Sequence, residues 1–299
     1  MAEVKNTAAE AASENVRKKK QPQIVVVWNR LKRNRTALVG MTIFFAIILL
    51  AALGEWIAPY RYDAIDMRSK GLPPSWQHLF GTDSVGRDIF SRILVGARYS
   101  LTLGILSTLF GSACGIFLGC IAGYFGGTVD ELIMRFCDII QSIPGMILNV
   151  AVACAIGVGY WKTILVLGIS GITAGSRMIR AQILKIRNME YIEAATVTNC
   201  SNAKIIWKHL IPNSISASLV GMTMGIGGHI MSAAGLAYLG LGVQPPTPEW
   251  GAMLSDGRNY LRQYPWICIF PGVAIMITVL SLNLFGDGLR DALDPKLKK

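Results

Sequence analysis

Uncharged stretches long enough to cross a bilayer recur along the chain, with polar segments between them. About 20 apolar residues cross the roughly 30 Å hydrocarbon core as a helix. Residues 37–54 carry no charge, and the apolar run extends past Glu55 to about Ala58. Nothing is charged between Arg98 and Asp130, which gives a span near 99–124. Residues 139–161 form a third stretch. The fourth, 163–176, is shorter and spans if Lys162 and Arg177 reach back to opposite interfaces. Residues 210–248 hold a span near 215–240 and a loop, and 263–286 make the sixth. The pattern predicts an all-α polytopic membrane protein with six transmembrane helices.

Composition agrees with that reading. Of 299 residues, 52% are hydrophobic and only 16% charged, against a usual charged share of about 25%. That is too little charge for two soluble domains, and too much apolar content for a disordered chain. The net charge of +11 is not spread as a nucleic-acid stripe. Nine Lys or Arg precede residue 37, including Arg17, Lys18, Lys19 and Lys20, just ahead of the first span. Positive charge there fixes orientation, and no cleavable leader is expected in so polar a segment. With both ends on the cytoplasmic side, the inside segments carry 20 Lys and Arg against 9 outside. The expected organisation is a basic cytoplasmic tail at 1–36, then a first span with an external loop at 37–98. A five-helix core follows at 99–290, with a cytoplasmic loop at about 181–214 and a short tail at 291–299.

Within the external loop, Pro59 is expected to end the first helix. After Asp88, a candidate N-cap, Ile89, Phe90, Ile93, Leu94 and Ala97 share a face with Arg92 off it. That is either a separate interfacial helix or the ordinary start of the second span. In that span, Gly104, Gly111, Gly115, Gly119 and Gly123 line one face and permit close helix approach. At the far end, Asp287 is a candidate cap for a short helix running to Leu293.

Candidate chemistry is sparse. The six cysteines and three histidines show no metal-ligand spacing, so no metal site is expected. No Gly-Lys pair occurs, which leaves no phosphate-binding loop. Buried acids of the kind that drive ion-coupled transport are missing; Glu55 and Asp138 lie near span ends. If solute moves uphill, a partner supplies the energy, although a stand-alone ion-coupled carrier is the rival from a different class. The segment 177–214 is the place to couple such a partner. Asn199 tolerates a left-handed backbone and Ser201 is a candidate cap for a second helix, which Pro212 would close. The result is a helix–turn–helix that serves either as a docking element or as an ordinary connector.

Four segments carry a specific resemblance. Glu193-Ala-Ala-Thr-Val-Thr-Asn-Cys-Ser201, continuing to His209-Leu-Ile-Pro-Asn213, resembles the EAA loop of ABC importer permeases. Gly81-Thr-Asp-Ser-Val-Gly-Arg-Asp-Ile-Phe-Ser-Arg92 is the second. Leu239-Gly-Leu-Gly-Val-Gln-Pro-Pro-Thr-Pro-Glu-Trp-Gly251 and Asn283-Leu-Phe-Gly-Asp-Gly-Leu-Arg-Asp-Ala-Leu-Asp-Pro295 complete the set. In this order they resemble the C-type permease of the dipeptide/oligopeptide/nickel importer family, over about residues 28–295.

The resemblance implies a type I importer (MetI-like) fold in the cytoplasmic (inner) membrane. It implies a second homologous permease, two ABC ATPase subunits that bind ATP and Mg, and an external solute-binding protein. This chain itself would hold no cofactor. The cargo would be peptides, with nickel or other metal chelates, glutathione and opines also found in the family. Glu193, Ala194 and Ala195, with Ile205, Leu210 and Pro212 downstream, would form the ATPase-coupling element. Asn199 stands where the family has Gly, and Ala233 where the fifth span usually has Glu. His229 and Ala233 mark a possible translocation path, with His229 open to a plain packing role. Pro245 and Pro246 stiffen the outer loop near the external mouth, and Trp250 is expected as an interfacial anchor.

Overall fold

The computed structural model describes residues 23–293, so the basic run at 17–20 and the tail beyond 293 lie outside the described residues. A short amphipathic helix, α1 (Gln23–Leu31), leads into α2 (Arg35–Ile57). Asn34 caps α2 by accepting from the Ala37 amide at 3.2 Å. The helix stops at Ile57, just ahead of Pro59 as expected.

The second span, α3 (Ile89–Phe125), has 37 residues and runs about 55 Å. Asp88 is its N-cap and accepts from the Ser91 amide at 2.8 Å. No separate interfacial helix precedes it. No breaker separates Ile89 from Leu101, and Ile89, Leu94, Val95 and Ala97 are buried against the bundle. Arg92, expected off the buried face, is itself only 1% exposed.

The stretch 139–161 is not one helix. It divides between α4 (Gly127–Gln141) and α5 (Gly145–Ile156), which meet at 91°. Pro144 explains the break, since it offers no N–H and its ring clashes with a preceding helical turn. A second break, at Gly157 and Gly159 with φ of 89° and 137°, precedes α6 (Tyr160–Ile186).

Helices α3 and α6 run parallel. The Thr102 and Tyr160 hydroxyls hydrogen-bond at one end, and Arg187 donates to Gly123 O at the other, 3.0 Å away. Between two parallel neighbours the chain must travel back. It does so along α6, with Asp130 on Arg180 and Gln141 donating to Thr173 at 3.1 Å. Helix α5 completes the return beside Leu103, Ile164 and Leu236. The bent pair therefore counts as one crossing, which with the five long apolar helices gives six candidate crossings among the described residues.

The glycine face predicted on α3 forms the α3–α6 contact. A Cβ at Gly111 would lie 2.7 Å from Gly168 O, and one at Gly119 would lie 2.5 Å from Ser176 O. Gly119→Val is expected to push the helices apart at a cost of about 1–3 kcal/mol. Gly145→Ala, with nothing within 4 Å, is the matched control. Thermal unfolding of the two purified variants checks this. An equal midpoint for both would mean that the contact is not tight.

The remaining spans are α9 (Ile211–Tyr238) and α11 (Trp266–Leu293), with α10 (Trp250–Gly257) between them. They are antiparallel, since Gly286 meets Thr223 while Gly227 meets Val279. Asp287 begins no new helix, because α11 continues through it to Leu293. Arg30 donates to Ala292 O at 3.3 Å, so α1 and the end of α11 share one face of the bundle.

Candidate functional site

On that same face, α7 (Glu190–Val197) and α8 (Asn202–Ile205) form the predicted helix–turn–helix. The turn is made by Asn199, whose φ of 57° puts it in the left-handed region. The Cys200 amide donates back to Ala195 O at 3.1 Å, and the Asn199 amide to Thr196 O at 3.0 Å. Ser201 caps α8 by accepting from the Lys204 amide at 3.4 Å. Pro212 does not close this helix. A π-helical turn at Ile206–Leu210 joins α8 directly to α9, and Pro212 sits in the first turn of α9. The Ile211 amide just before it bonds back to Ile206 O across that turn, and Pro212 itself brings no N–H to the junction.

The residues carried over from the EAA pattern divide between two faces. Ala195, Ile205 and Leu210 are buried with Ile192 against Cys120, Ile179 and Ile183 of α3 and α6. They anchor the loop to its own bundle, and Ala195 does not face outward. Glu190, Glu193, Ala194 and Val197 fall at the i, i+3, i+4, i+7 spacing of one helical face, and all four are exposed. Val197 is 86% exposed, and Trp207 beyond the turn is 64% exposed. Asn199 and Ser201 are exposed but act as turn and cap. The loop thus offers a small, partly apolar, acid-edged surface on a rigid base.

A chamber of about 240 Å³ opens between α3, α6 and α9. His229 lines it, and its Nδ1 lies 3.0 Å from Thr108 Oγ1. Ala233 does not reach the chamber. It is 2% exposed and packs with Leu103, Val166 and Leu236 one turn away.

Comparison with known proteins bears on what such a loop and chamber belong to. Residues 115–299 match the family described as binding-protein-dependent transport system inner membrane component. Residues 23–74 match the N-terminal TM domain of oligopeptide transport permease C. The chain belongs to the ABC importer permeases. It is 44% identical over 274 residues to the glutathione transport system permease protein GsiD of Escherichia coli, covering 91% of this chain and 90% of that one. The GsiD protein of Shigella boydii matches over the same lengths at the same identity. Among solved structures, the MetNI methionine ABC transporter in an inward-facing conformation aligns with a TM-score of 0.55 at 19% identity. That alignment covers 68% of this chain and 97% of the other. An amino acid ABC transporter aligns with a TM-score of 0.50 at 14% identity, over 66% and 91%. The last two likenesses concern the fold.

As a permease subunit of an ABC importer, this multi-pass inner-membrane chain works with ATPase and solute-binding partners. At the end of the permease away from the EAA loop, the sequence reading missed a buried charge cluster. Asp83 accepts from the amides of Val85 and Arg87, both at 2.9 Å, and from Arg87 Nε at 2.6 Å. Arg92 Nε lies 3.8 Å from Asp83, and its Nη1 donates to Tyr62 O at 3.0 Å. Arg87 also reaches Asp256 at 3.4 Å, and His78 Nδ1 lies 2.9 Å from Asp88. The clasp fastens the 58–88 loop to α3 and α10. Its signal was four charged residues within ten positions, 83–92, in a chain poor in charge.

Trp250 is no interfacial anchor. It is 2% exposed and donates from its indole to Ile93 O at 3.1 Å. Beside it, Glu249 is buried and caps α10 by accepting from the Gly251 and Ala252 amides and from Ser100 Oγ. Burial pushes the Glu249 carboxyl above the usual carboxylate range, against the pull of those three donors. Pro245 and Pro246 are exposed on the loop ahead of this cap.

Proposed function

We propose that the permease imports peptides, glutathione-like tripeptides included, as one half of a heterodimer with a second homologous permease. ATP and Mg bind on two separate ATPase subunits, and an external solute-binding protein delivers the cargo. Substrate class rests on the 44% identity to glutathione permeases across nine-tenths of both chains. Coupling rests on one observation, the outward Glu190–Glu193–Ala194–Val197 face of α7 on a base fixed into the spans. A groove on an ATPase subunit takes up this face, and closure of the ATPases then moves α6 and α9 through the buried Ile205 and Leu210. The EAA loop, α1 and the end of α11 face the cytoplasm, in line with the excess of Lys and Arg there.

Two measurements test this. In cells, a membrane-impermeant thiol reagent applied from outside is expected to label Lys70→Cys and Arg262→Cys but not Lys204→Cys. Outside labelling at residue 204 would reverse the orientation. In proteoliposomes, the complete transporter with ATP inside and binding protein outside is expected to accumulate peptides, with glutathione as a competitor. Accumulation of a metal chelate or an opine alone would reassign the cargo within the family.

A further inference from the structure

Helix α1 is apolar on two opposite sides, and only one of them packs on the bundle. Val27 and Leu31 turn inward, where they meet Ala292, Met41 and Phe285. At about 3.6 residues per turn, Val25 and Trp28 lie on the other side of the helix. They are 40% and 43% exposed. Lys32 continues that outer side at the i, i+3, i+7 spacing from Val25, and its ammonium lies 5.0 Å from the centre of the Trp28 ring. Arg33 and Arg35 follow, both exposed. Among the described residues, no carboxylate pairs with Lys32, Arg33 or Arg35. Asp287 and Asp291, the acids near this end of α11, are exposed and form no ion pair with them. The first acid of α2 is Glu55, about 30 Å along the helix from Arg35.

This surface therefore joins an apolar strip to three cations that lack counter-charges. What lies beside it follows from the chain. The membrane span α2 begins at Arg35, three residues beyond the end of α1, so the cations stand where the bilayer meets water. A phospholipid leaflet offers both things the surface lacks, acyl chains for Val25 and Trp28 and phosphates for the cations. A short amphipathic helix with a tryptophan at its apolar edge is suited to that boundary. The helix is also fixed to the bundle, through Leu31 and through the bond from Arg30 to Ala292 O. A Cβ at Gly288 would lie 2.1 Å from the Cβ of Ala37, so α2 and α11 touch just below it.

We propose that α1 lies in the membrane interface and binds anionic phospholipid, with Val25 and Trp28 against the acyl chains and Lys32, Arg33 and Arg35 on the phosphates. On the orientation argued above this is the cytoplasmic leaflet, but the binding does not depend on which leaflet it is. A lipid held there ties the start of α2 and the end of α11 together. It binds the folded bundle and so stabilises it.

Two measurements on the complete transporter test this. In detergent, added phosphatidylglycerol is expected to raise the thermal midpoint, and phosphatidylcholine is not. Neutralising Lys32, Arg33 and Arg35 together to Gln should weaken the apparent affinity about fivefold per cation, or roughly a hundredfold in all. About 1 M salt should weaken it in the wild type as well. Arg61→Gln, Arg68→Gln and Arg262→Gln together remove the same charge from exposed cations outside α1 and should keep the wild-type response. In nanodiscs, the emission of Trp28 is the difference between wild type and Trp28→Phe. Brominated acyl chains are expected to quench it, and iodide in the water is expected to quench it little. If the triple variant fails to assemble, the salt titration and the nanodisc result decide. An equal response to phosphatidylcholine, or an unchanged response in the triple variant, would overturn the anionic-lipid assignment. Quenching of Trp28 by iodide and not by brominated lipid would place α1 in water and overturn the proposal. Protection from both quenchers only when the ATPase subunits are bound would overturn it too, and give the surface to them.

Discussion

Asp83→Ala is expected to destabilise the assembled permease by about 3–5 kcal/mol, the usual range for removing one partner of a buried ion pair. Two guanidiniums depend on this carboxylate. Arg87 Nε lies 2.6 Å from it, and Arg92, with a side chain 2% exposed, lies 3.8 Å away. Asp256 offers Arg87 a second partner at 3.4 Å but is itself one-third exposed, so it compensates only in part. The Val85 and Arg87 amides lose their acceptor as well. A thermal midpoint lower by roughly 6–20 °C is expected for the purified protein. Asp83→Asn keeps an oxygen for the amides and should fall less. Asp63→Asn breaks only the exposed pair with Arg61 and should leave the midpoint unchanged. If Asp83→Ala matched Asp63→Asn, the clasp would not hold the external loop to α3 and α10.

Much of the fold was legible because a bilayer imposes one strict requirement, about 20 uncharged residues per crossing. Spans one, two, four, five and six lie where those stretches predicted, and Asn199 and Ser201 play their predicted turn and cap roles. The third span misled because absence of charge says nothing about straightness. Pro144 breaks that stretch, and half of the crossing is supplied by α4, which carries Asp130, Glu131, Arg135 and Asp138. Those charges hid it from a hydropathy reading, yet Asp130 and Asp138 pair with Arg180 and Arg177 on α6. Charged residues were misjudged in the opposite sense at 83–92. There a charge signalled burial, because Arg87 and Arg92 are balanced by Asp83 and Asp256. Trp250 was misjudged because aromatic residues near span ends usually sit at the interface, and only the fold shows α3 passing beneath it.

The EAA segment shows the same limit and yields the sharpest functional expectation. A motif gives residue types but not the face each one takes. Ala194 and Ala195 are equivalent in the pattern, yet the helix turns Ala194 outward and Ala195 inward against Ile183, Ile192 and Ile205. Arginine at the two positions should therefore fail for different reasons. Ala195→Arg forces a guanidinium among aliphatic side chains that offer no counter-charge. It is expected to detach α7 from the bundle and to lower the amount of folded permease. Ala194→Arg adds an exposed side chain to a helix and should cost stability no more than about 0.5 kcal/mol. Its effect should fall on coupling, because a long cation replaces the smallest side chain on the surface proposed to dock on the ATPase. Permease pairing is expected to persist while ATPase co-purification weakens and ATP-driven uptake is lost. Measuring membrane abundance, ATPase co-purification and uptake together for both variants separates the two effects. Normal uptake by Ala194→Arg would remove the outward face of α7 from the coupling path. Normal abundance of Ala195→Arg would mean that the loop is not anchored through Ile192, Ile205 and Leu210.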